Sequence, residues 1–426
     1  MSIKSFLQSL GPGLITGAAD DDPASIATFS QVGAKFGFGM LWTVLLSYPL
    51  TTVIEEMCGR IGLLTGSGLA AIIVKKYSKK VVLPIISLLF IVNTINVGAD
   101  IGAMAASSSL LMPQVPLNIF SIFFTIFIIM TIILIPYKRY VKILKYLTLS
   151  LLAYIITAII VGGNWYQILI ATIVPHIEFT TDFATMLVAI LGTAISPYLF
   201  FWQTSEEAEE DVSKHKIKEI GKGNPKVTEK EIKSMKTDIA VGIGFAQFIT
   251  WSIVITATGS LHNNGITDIQ SAEQAAKSLE PMVKTFPNAG EISKLIFAVG
   301  IIGTGFLSIP VLAGSTAYAL SDTFSWKQGL SNKFGQAKAF YLIIAISGII
   351  GLGINFLGIN PIKALVYTSV INGVVSIPIL FVLLKISNDK EILKEKTNGL
   401  LSNIVGWMTF TIMTILVVVM IVTFGK

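Results

Sequence analysis

Eleven apolar windows, each long enough to cross a bilayer as a helix, take up most of this chain. They fall at 8–32, 38–58, 82–111, 117–135, 143–161, 185–207, 237–259, 293–321, 338–357, 363–385 and 401–424. About 20 predominantly apolar residues are enough to span the hydrocarbon core as a helix. Of the 426 residues, 53% are hydrophobic and 13% charged, and mean hydropathy is +0.74. That balance lies far from a soluble domain, so the fold class is an all-α polytopic membrane protein. No window marks a separate soluble domain, and the chain reads as one transmembrane domain over 1–426. The lone Cys58 excludes an internal disulfide and a thiolate cluster. Gly11-Pro12-Gly13 interrupts the first apolar run, so no cleavable leader forms and the first span is permanent.

Placing the N-terminus in the cytoplasm puts every Lys and Arg on the inner side except Lys35, Lys277, Lys284, Lys294, Lys363 and Lys426. This asymmetry orients the chain with an outer C-terminus. The net charge of +6 is therefore a topology signal rather than a nucleic-acid footprint. The segment 206–236 reads as a charged inner loop, and the segment 260–293 as an outer loop with a short helix around 269–279.

The first window contains Asp20-Asp21-Asp22-Pro23. A charge at mid-bilayer costs about 2.5–3.5 kcal/mol on insertion scales, and no Lys or Arg lies in the core of any span to offset three. Span six breaks in a similar way, at Ser196-Pro197. Proline removes a backbone donor and displaces the turn before it, freeing carbonyls that a neighbour, water or ion must satisfy. Five spans separate the two breaks, so the halves have opposite topology, as in inverted-repeat transporters. The repeats run over 8–161 and 185–385, with 401–424 an extra span.

Where the breaks meet, an all-oxygen set gathers: Asp22, the hydroxyls of Ser25, Thr28 and Ser196, the phenol of Tyr198, and the carbonyls of Thr193, Ala194 and 19–21. Such a set suits hard divalent ions, Mg²⁺ above all, which keep several waters and use one or two carboxylates. Asp20 and Asp21 would act through water or along the path, as would Gln203 one to two turns below the break. Glu206 lies about 15 Å beyond Ser196, where it either draws cations to the inner mouth or simply ends a helix. Each feature also has a plain structural use, since prolines kink helices and Ser or Thr bond back to their own turn. Glu55 and Glu56 read as the inner end of span two. His176, His215 and His262 fall in loops, which leaves no histidine relay within the membrane.

The chain resembles the NRAMP family of divalent-metal transporters. Gly11-Pro12-Gly13, Asp22-Pro23, Gln31-x-Gly33-Ala34-x-Phe36-Gly37, Leu41-Trp42 and Arg60-x-Gly62-Leu63-x-Thr65-Gly66 stand in family order. The resemblance implies a LeuT-type fold of eleven or twelve spans and, usually, proton-coupled import of Mn²⁺ or Fe²⁺. The family's Asp-Pro-Gly-Asn is here Asp22-Pro23-Ala24-Ser25, and its Met-Pro-His is Ser196-Pro197-Tyr198. Loss of the soft thioether removes discrimination against Mg²⁺, and the altered motifs look more like the NRAMP-related magnesium transporters. The third-span acidic pair that the family uses for protons is replaced by Asn96 and Ala99 on a gap-free placement; a one-residue shift would put Asp100 at the second position.

These readings converge on an importer of Mg²⁺ and Mn²⁺ in the plasma membrane, working by alternating access without protons. It would need no cofactor and no obligatory protein partner, only the ion and the bilayer. The rival is a proton-coupled Mn²⁺/Fe²⁺ symporter. An amino-acid carrier is disfavoured because three aspartates repel a substrate carboxylate, and a channel or a non-transporting metal sensor would be told apart by currents or by binding without flux. Nothing in the sequence indicates an enzyme: no nucleotide loop, activated nucleophile or cofactor fingerprint is present.

Overall fold

The computed structural model describes residues 12–135 and 148–423. Lys4, Lys138, Arg139, Lys142, Lys145 and Lys426, which enter the charge asymmetry, lie outside the described residues, as do the start of the first window and part of the fifth. Among the described residues the chain is helical, with connecting turns and one isolated bridge between Glu219 and Lys222.

The first window is split into α1 (Pro12–Asp20) and α2 (Pro23–Phe36). Next come α3 (Trp42–Thr65), the short α4 (Leu69–Lys76), and the third to fifth spans α5 (Lys79–Leu111), α6 (Leu117–Leu134) and α7 (Leu152–Val161). After α8 (Trp165–Ile173), the sixth window is split like the first, into α9 (Thr181–Ala194) and α10 (Pro197–Ser213). The seventh span is α11 (Glu229–Ser260), opened by a capping box between Thr228 and Glu231. Two short helices follow, α12 (Ala272–Lys277) and α13 (Glu280–Val283). The eighth to tenth spans are α14 (Ala289–Phe324), α15 (Lys338–Ile354) and α16 (Pro361–Ser387), and a single turn, α17 (Lys390–Leu393), precedes the last span, α18 (Leu400–Thr423).

Among the described residues, eight helical stretches are long and apolar enough to cross a membrane, or up to ten if two bent pairs count as spans. Eleven windows were expected, and the other three have local reasons to fall short. The first carries the aspartates, the second carries Glu55, Glu56 and Arg60, and the fifth is only partly described. Two details differ from the sequence expectation. The helix around 269–279 starts at Ala272, where Ser271 accepts from Gln274 N, and Pro281 opens a separate turn. Helix α8 was not foreseen; it turns 118° away from the fifth span and, at nine residues, is too short to cross.

Burial separates centre from rim. In the sixth span 94% of the most apolar stretch is buried, against 28% in α18. Helix α1 lies on α11, α9 on α16, and α5 runs between α14, α15 and α16. Three of these crossings are glycine against glycine: Gly17 on Gly242, Gly192 on Gly373, and Gly98 on Gly351. A Cβ on Gly98 would fall 2.6 Å from the Gly351 carbonyl oxygen, so the backbones touch where a side chain would hold them apart.

Candidate metal centre

Both breaks are built alike. Asp22 is extended (φ −72°, ψ 171°) and Pro23 opens α2; Ser196 is extended (φ −74°, ψ 133°) and Pro197 opens α10. Proline at the first helical position sacrifices a donor that has no partner anyway. Asp22 also caps α2, its Oδ1 accepting from Ser25 N at 2.7 Å, which sets a carboxylate at the positive end of a helix dipole. Ser196 makes no such cap; its hydroxyl turns back to the Gly192 and Thr193 carbonyls at 2.8 and 2.9 Å.

The break carbonyls are partly spoken for. Thr51 donates to the Ala194 carbonyl at 3.1 Å, and Ser376 to that of Ile195 at 2.7 Å. Tyr198 donates its phenol to the Ala19 carbonyl at 3.2 Å, tying the first turn of α10 to the last turn of α1. A carbonyl has two lone pairs, so Thr193, Ala194 and Ala19 each keep one for a further donor or an ion. Thr28 bonds Ser369 at 2.9 Å. Ser25, Tyr198 and all three aspartates are buried.

Below the break the chain closes. Thr16 donates to Gln203 Oε1 at 2.5 Å, and Gln203 passes a hydrogen to Glu207 at 2.9 Å. Asp238 on α11 accepts from Gly13 N at 2.8 Å, at the start of α1. Gln203 is thus a strut between the two broken spans, and Glu206 lies one turn further along α10, largely buried. A 510 Å³ cavity opens at that end between α4, α10 and α14, lined by Lys75, Glu209, Lys218, Glu219, Asp322 and Trp326. It does not include the break residues.

Two carboxylates join the centre: Glu55, which the sequence reading put at the inner end of span two, and Asp100, which it named only as the shifted alternative to Ala99. Glu55 is wholly inside, with neither oxygen hydrogen-bonded, and its charge acts on Asp20 and Tyr198. Glu56, its neighbour, is an ordinary ion-pair partner of Arg60 (3.1 Å) and Lys236 (3.2 Å). Asp100 on α5 accepts from Ser308 at 2.8 Å; the Asp22 charge acts on it, and its own charge acts on Tyr198. Asn96 and Ala99 are buried beside it. Among the described residues none of Asp20, Asp21, Asp22, Glu55 and Asp100 forms an ion pair with Lys, Arg or His, and no three His, Cys, Asp or Glu side chains converge as a closed metal cage. The arrangement gathers carboxylates and scattered oxygens in a buried site.

Known proteins resemble this chain over nearly its whole length. It is 24% identical over 433 residues to the divalent metal cation transporter MntH of Caldanaerobacter subterraneus, covering 98% of this chain and 93% of that one. It is 23% identical to the MntH of Ralstonia nicotianae, covering 97% and 90%. Among solved structures it matches the manganese transporter of Eremococcus coleocola with a TM-score of 0.72 at 14% identity, covering 98% and 87%. It also matches MhsT, solved with L-phenylalanine, with a TM-score of 0.62 at 12% identity, covering 96% and 98%. The structural likenesses speak for the fold, which is of the LeuT type. Residues 13–423 fit the family described as natural resistance-associated macrophage protein-like, and the chain belongs to that Nramp family.

Proposed function

We propose that the chain imports Mg²⁺ and Mn²⁺ across the plasma membrane by alternating access, without moving protons. The divalent metal transport of its relatives supports the coarse part of this reading. The observation that carries it here is that five carboxylates on the broken first span and its neighbours are buried and, among the described residues, have no basic partner. Such a group in a membrane calls for a cation.

In this reading the ion enters from outside and binds between Asp22 and the sixth-span break. Asp22 supplies charge, Thr193 and Ala194 supply carbonyl lone pairs, and Ser25, Ser196 and Tyr198 complete an oxygen-only set. Asp20, Asp21, Thr28, Gln203 and Glu206 act through water or along the path. With serine where a thioether would sit, nothing soft favours transition metals, and the hard ion is admitted. The bundle of broken spans then rocks and opens the inner side, where the N-terminus lies. The membrane potential drives entry, at about 2.3 kcal/mol per charge per 100 mV.

The second reading, proton-coupled Mn²⁺ symport, draws on Asp100, a buried carboxylate on which the Asp22 charge acts. Proteoliposomes with a negative interior separate the two: Mg²⁺ uptake at constant internal pH supports the proposal. Mn²⁺ entry with acidification and no Mg²⁺ flux would sink it.

A further inference from the structure

Helix α5 carries Asn93, Asn96 and Asp100 at intervals of three and four residues, which places them on one face. Asn93 is engaged through its amide nitrogen, reaching the Leu312 carbonyl at 3.2 Å and the Ser315 and Thr316 hydroxyls at 3.0 and 2.8 Å on α14, while its Oδ1 has no partner. The two residues next along the face are held less. Asn96 has no partner for either its amide oxygen or nitrogen, and Asp100 has none for Oδ1, although both side chains are fully buried. An amide and a carboxylate oxygen left unbonded in hydrocarbon are unfavourable, so this stretch of α5 is built to meet something polar.

That partner is at the metal centre, because α5 touches both α2 and α10, the Asp22 charge acts on Asp100, and the Asp100 charge acts on Tyr198. Direct ligation is a poor fit. Asp100 is held by Ser308 through Oδ2, and an amide offering both a donor and an acceptor suits water better than a bare ion. A divalent ion at Asp22 that keeps waters on its far side would present O–H donors to Asp100 Oδ1 and the Asn96 carbonyl, with the Asn96 N–H meeting a water oxygen. We infer that Asp100 and Asn96 form the wall that grips the water shell of the bound cation opposite Asp22, making them specificity-determining residues. This rests on the divalent-cation reading above.

Mg²⁺ gives up water more reluctantly than most divalent ions, so loss of the wall must harm Mg²⁺ more than Mn²⁺. The test uses the full chain in proteoliposomes, with Asp100→Asn and Asn96→Ala each checked for monodisperse elution. Initial uptake of Mg²⁺ and Mn²⁺ is measured, together with inhibition by hexaamminecobalt(III), an exchange-inert mimic of a hydrated ion. Losing hydrogen bonds to a charged group should raise the Mg²⁺ KM and the cobalt inhibition constant by about tenfold in Asp100→Asn and less in Asn96→Ala, with Mn²⁺ uptake changed far less. Equal losses for Mg²⁺ and Mn²⁺, or unchanged cobalt inhibition in both variants, would overturn the wall. So would wild-type acidification that disappears in Asp100→Asn, since Asp100 would then carry protons. Wild-type protein that moves neither ion would instead count against the transport reading itself, which the wild-type vesicles report separately.

Discussion

The breaks in spans one and six share a backbone plan and divide the chemistry between them. Both put an extended residue before a proline that starts the next helix. The first is crowded with carboxylates, and Asp20 Oδ1 and both oxygens of Asp21 find no hydrogen bond. The second holds no charge, and its hydroxyl and carbonyls are tied to Gly192, Thr193, Thr51 and Ser376. One break brings charge in need of a cation; the other brings oxygens whose positions neighbouring spans already fix. Preorganised oxygens beside an uncompensated charge are what a binding site for a small ion requires.

The division can be broken on either side. Asp22→Ala removes the charge and should lower Mg²⁺ flux by about 100-fold or more while the protein still elutes monodisperse; flux near wild type would show that charge does not reside there. Gly192→Val attacks the positioning side, because a side chain there meets the Ser369 carbonyl and the Gly373 backbone. Overpacking of that kind costs about 1–3 kcal/mol and should appear as a clear drop in melting temperature, with activity lost in proportion to folded protein. Ser196→Met tests the chemistry of the second break, and the Mn²⁺ to Mg²⁺ uptake ratio should rise by about tenfold; an unchanged ratio argues against hard-ligand selection. The smallest effect belongs to Tyr198→Phe, which cuts the bond between the two breaks. One neutral hydrogen bond contributes about 1 kcal/mol, so uptake should fall only a few-fold.

Much of this architecture is written in the apolar windows, because a bilayer leaves the backbone few alternatives. The breaks are legible for the same reason: Asp-Asp-Asp-Pro and Ser-Pro stand out against apolar neighbours. Glu55 and Asp100 are harder to read. Glu55 precedes Glu56, which lies one turn from Arg60, so in sequence it passes for a helix end. Only the packing of α3 against α10 turns it inward while Glu56 reaches Arg60 and Lys236. Asp100 gains meaning from α14, which offers Ser308, and from the nearness of Asp22, and no spacing along the chain announces either. The oxygens of span six show the converse: the sequence marks them as candidates, but their hydrogen bonds come from Thr51 and Ser376, far away in the chain.

The glycine crossings have a mechanical consequence. Where Gly17 meets Gly242, Gly192 meets Gly373 and Gly98 meets Gly351, backbone lies on backbone and no rotamers stand between the helices. Most helix contacts lock by interdigitation, and rotating one against the other means unseating many side chains together. A glycine contact has no side chains of its own to unseat, so a small rotation there disturbs fewer rotamers than it would elsewhere. The first and sixth spans, which hold the two halves of the proposed site, each rest on one.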